Sequence, residues 1–218
     1  MTDAVGPTVF VVEDDQAVRG LLLDLLVSVG HRAQGFESAE EFDSRHAKNE
    51  LGCAILDVRL GGMSGLQYQQ LLIARQDLMP LVFVSAYGDV AMCVKAMKAG
   101  AVDFLAKPVR EQELLDAVQT ALQRDAMRHE RELERGRLLS SYQLLSARER
   151  EIMSLVVSGM LNKQIAAATN LSEVTVKIHR AQVMHKMNAP SLPALVRMAD
   201  RIESLISEAP RPGPGSLS

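Results

Sequence analysis

"AILDVRL", residues 54–60, is an apolar run that ends in a carboxylate, Asp57. A strand buried on both faces has such a continuous apolar stretch, and an acid at its end gives up hydration, so what else reaches that strand end decides its meaning. "TVFVV" (8–12) is a second such run, stopped by Glu13 and Asp14; "LVFVS" (81–85) and "DFLAK" (103–107) are two more, and "HRAQGF" (31–36) is a weaker short strand. Helical patterns alternate with them. Leucines at helical spacing fill 17–29 before Gly30, "SAEEF" opens with Ser38 and Glu41 as a capping box, and a third helix covers Gly65 to Gln76. "DVAMCVKAMKA" is closed by Gly100, and a fifth helix starts near Glu111.

Five βα units with apolar strands predict a parallel sheet covered by helices on both faces, a doubly wound α/β fold. In such sheets ligands sit at the carboxyl ends of the strands, where Glu13, Asp14, Asp57, Ser85 and Lys107 all fall. Each has a plainer reading when taken alone: an acid after a strand is commonly a loop residue or a cap, and Lys-Pro a terminator. Their joint placement at the ends of strands one, three, four and five favours a site. Three carboxylates at one edge repel one another unless a cation joins them, and oxygen ligands favour Mg²⁺ or Mn²⁺. Beside that metal an Asp57 oxygen becomes a nucleophile towards a phosphoryl donor, with the Lys107 ammonium offsetting charge on the transferred group.

The chain has 218 residues and a formal charge of -3, unevenly spread: residues 1–122 carry 10 Lys+Arg against 17 Asp+Glu, residues 140–207 carry 8 against 5. Two domains are expected, an acidic one in front and a mildly basic one behind that can approach nucleic acid. Two cysteines, Cys53 and Cys93, without paired spacing exclude a disulfide framework and a zinc cluster. "MTDAVGPT" has an acid where a secretion signal needs bases, and "LLLDLLV" is too short to span a bilayer. A cytoplasmic protein with no membrane partner is expected.

"QRDAMRHERELERGR", from Gln123, alternates charges on a helical pattern and predicts a solvated linker helix, weakened or broken at Gly136, with Met127 and Leu133 as its only large apolar members. Four short helices follow: one capped by Ser146 with Glu149 and ended by Gly159, then "NKQIAAAT", then two capped by Ser172 and Ser191. The second and third form a helix-turn-helix through Asn170 and Leu171. On the third, Val176, Val183 and Met187 share one stripe and should face the core, leaving Val174, Lys177, Ile178 and Ala181 outward. Such a helix fits the major groove, Lys177 meeting phosphate or guanine edges and Ile178 or Ala181 a thymine methyl. The last nine residues, "PRPGPGSLS", have too little apolar content to fold.

"VVEDDQAVR", "LDVRLGGMSG", "VSAYGD" and "AMKAGAVDFLAKP" resemble the bacterial response regulators, especially the FixJ/NarL type, over nearly the whole chain. The resemblance implies a flavodoxin-like (βα)5 receiver of strand order 2-1-3-4-5 over 1–122, a charged helical linker over 123–141, a small all-α four-helix LuxR-type helix-turn-helix domain over 142–207 and a disordered tail over 208–218. By position it makes Asp57 the phosphoacceptor, Glu13 and Asp14 the metal-binding acid pair with the Arg59 backbone carbonyl completing the Mg²⁺ ligands, Ser85 and Phe104 the switch pair, and Lys107 the phosphate contact. Glu13 replaces the more frequent aspartate. Leu60 and Gly61 stand where Met and Pro are usual, and the glycine loosens the loop after the phosphoacceptor. Arg59 and Tyr87 flank the site and would shield it from water.

"LSARERE", "NKQIA" and "TVKIHRAQVMHKM" resemble the LuxR-type DNA-binding domain, which implies Lys163, Thr175, Lys177, Ile178 and Arg180 as DNA contacts. Arg180 shares the inward stripe, so it packs along its stem and reaches phosphate at most. The implied protein is a transcriptional activator. A sensor histidine kinase phosphorylates it, it forms a homodimer on phosphorylation, it binds double-stranded DNA, and RNA polymerase is a further candidate partner. It is not an enzyme beyond slow Mg²⁺-dependent self-phosphorylation from small donors and autodephosphorylation. Two rivals are a phosphorylation-independent DNA-binding regulator and a Mg²⁺-dependent phosphohydrolase; against the second, Arg59 stands where another acid would be needed.

Overall fold

The computed structural model describes residues 6–48, 50–86 and 90–208. Tyr87 and the expected tail beyond 208 lie outside them. The elements run β1 (Thr8–Val12), α1 (Gln16–Ser28), β2 (Arg32–Phe36), α2 (Ala39–Arg45), β3 (Gly52–Asp57), α3 (Gly65–Ala74), β4 (Leu81–Ser85), α4 (Val90–Lys98), β5 (Asp103–Ala106) and α5 (Glu111–Gln143). Then come α6 (Ala147–Val157), α7 (Asn162–Thr169), α8 (Glu173–Lys186) and α9 (Leu192–Glu208). The chain forms two compact units that divide between Glu130 and Arg131, inside the charged stretch.

The first unit is a five-stranded parallel sheet of order β2-β1-β3-β4-β5, as expected. Strand alternation sends Phe10, Val12, Leu56 and Phe83 to a face covered by α2, α3 and α4, through Phe42, Tyr68, Leu72 and Ala96. Val9, Val11, Ile55 and Val84 point to the opposite face, covered by α1 and α5 through Leu22, Leu26, Leu114 and Val118. Burial on both sides explains why β1, β3 and β4 have no polar alternation. Order reverses between β1 and β3, so the edge crevice at their carboxyl ends lies at the switch point of the sheet.

Three local expectations are corrected. Ser38 caps α2 by accepting from Glu41 N at 3.1 Å, but the Glu41 carboxylate reaches back to the N–H of Glu37 at 3.0 Å and not to that of Ser38. Helix α5 runs unbroken for 33 residues through Gly136. A Cβ at Gly136 would meet open space, and a glycine in an exposed helix costs only about 1 kcal/mol. Asp125, expected on a solvated face, is 1 % exposed. It accepts from Gly52 N–H at 2.9 Å and from the Arg128 guanidinium at 2.6 Å, which fastens α5 to the start of β3. Met127 and Leu133 are exposed.

The second unit packs α6 to α9 around Leu145, Ile152, Ile165, Val176, Val183, Met187 and Leu195. Ser146 and Glu149 form the expected reciprocal box at α6. Asn170, in the left-handed conformation at φ 53°, ends α7 and turns the chain towards the Ser172 cap of α8, a conformation asparagine tolerates better than most residues.

Candidate functional site

The carboxyl ends of β1, β3 and β5 bring Glu13, Asp14, Asp57 and Lys107 together. Ligand oxygens of the three acids lie within 4.8 Å of one another, with Glu13 and Asp57 buried and Asp14 exposed. Lys107 Nζ bridges Glu13 Oε2 at 2.6 Å and Asp57 Oδ2 at 2.5 Å. Asp57 Oδ1 accepts the backbone N–H of Arg59 at 2.9 Å, so the chain folds back over the carboxylate as it leaves the strand. Gly65, the first residue of α3, is needed here because a Cβ would come to 2.3 Å from the Asp57 carbonyl oxygen.

Electrostatics follow from this crowding. Burial pushes the Glu13 carboxyl up, its hydrogen bond to Lys107 pulls it down, and repulsion from Asp57 raises it again, leaving the pKa raised. Burial opposes the Lys107 ammonium, but its bonds to Asp57 and Glu13 outweigh this and raise its pKa. Asp15, fully exposed, is lowered by the N–H groups of Val18 and Ala17, because it caps α1.

Ser85 ends β4, buried at 1 % exposure, and its carbonyl accepts Lys107 N–H at 2.9 Å, tying the two strand ends. Phe104 lies on β5, half-buried against the α4 side of the core with its ring 6.2 Å from that of Phe83. Two further groups shape the site. Arg19 of α1 donates to the backbone carbonyl of Glu13 at 2.5 Å, which holds the acid loop. Glu40 of α2 accepts the N–H of Met63 at 2.8 Å in the loop after Asp57. No local sequence pattern marks either Arg19 or Glu40 for these contacts, which join residues on separate elements.

In the second unit Val176, Val183 and Met187 are buried, while Val174, Lys177, Ile178 and Ala181 are exposed, as the spacing predicted. Lys163 on α7 is exposed too. Thr175 is partly engaged, its hydroxyl 2.8 Å from that of Ser172. Arg180 is drawn sideways to donate to Asn162 Oδ1 at 2.6 Å, bracing α8 against α7. Arg148 bonds the Thr169 carbonyl and so fixes the turn between these helices, a contact the sequence did not announce.

Residues 9–119 match the response regulator receiver domain and residues 143–199 match the bacterial regulatory proteins of the luxR family. Over 194 residues the chain is 47% identical to Nodulation protein W of Bradyrhizobium diazoefficiens, spanning 89% of this chain and 86% of that protein. It is 42% identical over 195 residues to the response regulator protein TmoT of Ectopseudomonas mendocina, with 89% of each covered. Among solved structures it is similar to the response regulator StyR, with a TM-score of 0.85 and 43% identity over 90% of this chain and 99% of that one. Full-length FixJ from B. japonicum gives a TM-score of 0.54 and 34% identity over 91% and 98%.

A receiver followed by a helix-turn-helix domain defines a DNA-binding transcription regulator of a two-component system. The chain belongs to the response regulators that carry a LuxR-type DNA-binding domain. A receiver implies a histidine kinase partner and a LuxR-type domain implies DNA. Among the described residues no helix is long and apolar enough to cross a membrane.

Receiver domains bind Mg²⁺ in general, and the residues present fit it. Three carboxylates against one ammonium leave two negative charges at the site. The donors are all oxygens, as a hard divalent cation requires.

Proposed function

We propose that Asp57 accepts a phosphoryl group from a sensor histidine kinase and that this modification controls DNA binding. The observation that carries the reading is the Lys107 ammonium shared between Asp57 and Glu13 at the strand ends. An Asp57 oxygen attacks the phosphorus. The bond from phosphorus to the kinase imidazole nitrogen breaks, its electron pair goes to that nitrogen, and an acyl phosphate remains on Asp57. Lys107 stays beside the product and meets the charge that the phosphoryl oxygens bring. Mg²⁺ bound by Glu13, Asp14, Asp57 and the Arg59 carbonyl would supply the rest of the neutralising charge. Small donors such as acetyl phosphate serve in place of the kinase, and slow autodephosphorylation returns the free carboxylate.

Ser85 turns towards the new phosphate oxygens and Phe104 moves into the space released, reshaping the α4–β5 face. That face carries the exposed side chains Val90, Val94 and Met97 on α4, which supports homodimerisation there. The dimer then places two α8 helices on adjacent half-sites of double-stranded DNA, with RNA polymerase a further partner and activation the outcome. In this reading the receiver, expected over 1–122, extends to the unit boundary at Glu130 and so includes Asp125; the rest of the 123–141 linker and the DNA-binding domain over 142–207 follow, in a cytoplasmic protein. Lys177, Lys163 and Ile178 lead the DNA contacts; Thr175 and Arg180 reach backbone phosphate once they leave Ser172 and Asn162.

The test is the intact mass of wild type and Asp57→Asn after acetyl phosphate with and without Mg²⁺, with dimerisation and DNA affinity measured on the same samples. A Mg²⁺-dependent phosphoryl adduct in wild type alone, with tighter DNA binding, is expected. No adduct with unaltered DNA binding would establish the phosphorylation-independent regulator instead, and repeated turnover of a small phosphoester the phosphohydrolase. Lys177→Ala should weaken binding across sequences and reduce the salt slope by about 1.

A further inference from the structure

The segment that leaves Asp57, "VRLGGMSG" over 58–65, has two adjacent glycines in its middle. Its two ends are fixed: Arg59 N–H donates to Asp57 Oδ1 at 2.9 Å, Gly65 N–H donates to the Val58 carbonyl at 3.1 Å, and Ser64 and Gln67 form a reciprocal box at the start of α3. The middle has no comparable local restraint in its residue types, since glycine leaves the backbone the greatest freedom. Gly62 takes a left-handed φ of 96°. Over it lies the carboxylate of Glu40, from the first turn of α2, at 2.8 Å from where a Cβ would stand. The same oxygen, Oε1, accepts the N–H of Met63 at 2.8 Å, across 23 residues of sequence. Helix α2 is itself anchored, with Ala39 and Phe42 fully buried.

We propose that Glu40 is a positioning residue: its carboxylate straps the glycine-rich loop to α2 and thereby holds the Arg59 backbone, the metal ligand set and the water-shielding of the Asp57 acyl phosphate in register. The inference rests on the phosphoacceptor reading. A bond from a backbone N–H to a charged acceptor is among the stronger kinds. Here it restrains residues whose ordering would otherwise cost the most backbone entropy. Glu40 is exposed, so replacing it leaves the buried core intact and the fold survives the test. A Cβ at Gly61 would meet nothing within 4 Å and its φ is not left-handed, and proline is usual at this position in the family it resembles, so a proline there offers a second, independent way to stiffen the loop.

The experiment compares full-length wild type, Glu40→Ala, Glu40→Gln and Glu40→Ala combined with Gly61→Pro. Three quantities are read: amide exchange over 58–64 in metal-free protein, the Mg²⁺ dissociation constant by titration calorimetry, and the decay of the adduct formed from acetyl phosphate. For Glu40→Ala, exchange at Met63 should rise about tenfold, and Mg²⁺ affinity and adduct lifetime should each fall about threefold. Glu40→Gln keeps a neutral acceptor oxygen and should fall between wild type and the alanine variant, and Gly61→Pro should restore the alanine variant. Unchanged Mg²⁺ affinity and decay in Glu40→Ala would overturn the proposal, as would a glutamine variant as impaired as the alanine one. Should wild type form no adduct, the phosphoacceptor reading fails; exchange and Mg²⁺ affinity then still judge the strap, and no change in either refutes it.

Discussion

Each of the two units buries a glutamate against a lysine, and the two pairs behave in opposite ways. Glu13 meets Lys107 at 2.6 Å and Glu149 meets Lys186 at 2.7 Å, with both carboxylates nearly inaccessible. Yet the pKa of Glu13 is raised, by burial first, while that of Glu149 is lowered, first by its hydrogen bond to Lys186 and then by the Ser146 N–H. Glu149 has an ammonium to itself and completes a capping box. Glu13 shares its ammonium with Asp57, whose charge repels it. One pair is satisfied and holds helices together; the other is left short of positive charge, which fits the cation binding general to receiver domains.

The comparison can be broken most sharply at the shared lysine. Lys107→Met leaves Glu13 and Asp57 without a counter-charge and should destabilise the first unit by about 2–3 kcal/mol in metal-free buffer. Added Mg²⁺ should recover part of this, as hydrogen exchange of peptides from each unit will show. Glu149→Ala should cost the second unit about 1–2 kcal/mol through the lost cap and ion pair, with Mg²⁺ making no difference in the same measurement.

Acidification sharpens the contrast. Glu149 has a folded pKa below its ordinary 4.5, so its contribution is fully present above that value and is lost as pH falls through the lower folded one. Glu13, raised, binds its proton more readily when folded, so acid relieves the repulsion there. Below pH 4.5 the cap and ion pair of Glu149 should fade from the second unit, and Glu149→Gln should flatten that part of the acid dependence in calorimetric scans. The smallest effect concerns the thiols. Burial, then the Asp125 charge, pushes Cys53 up to about 12, whereas Cys93 is only half-buried on α4. A maleimide at about pH 8 should label Cys93 in the folded chain and reach Cys53 only on unfolding; early labelling of Cys53 would refute its burial.

Much of this was legible in the sequence because it is periodic. The apolar runs of β1, β3 and β4, the helix caps and the inward stripe of α8 each depend on neighbours within a few residues. The site acids and Lys107 were legible from where the runs stop. Glu40, Arg19 and Asp125 were not, since their meaning depends on the partners Met63, Glu13 and Gly52, which only the fold brings near. Asp125 in particular sits among charges that do face water, so its own surroundings in the chain argued for exposure. Gly136 does not break α5, because one glycine costs only about 1 kcal/mol in a long helix whose other residues form helices well.

The acceptance of Gly52 N–H by Asp125 also decides where the chain can be cut and rejoined. A fragment ending at residue 122 would leave that donor at the start of a central strand without its acceptor, whereas one ending at residue 130 keeps Asp125 together with Arg128. In a designed hybrid that exchanges output modules, a crossover downstream of this acid keeps the bond, and one upstream of it loses about 1–3 kcal/mol. A splice made earlier recovers that contribution where the incoming helix brings a carboxylate at the same turn.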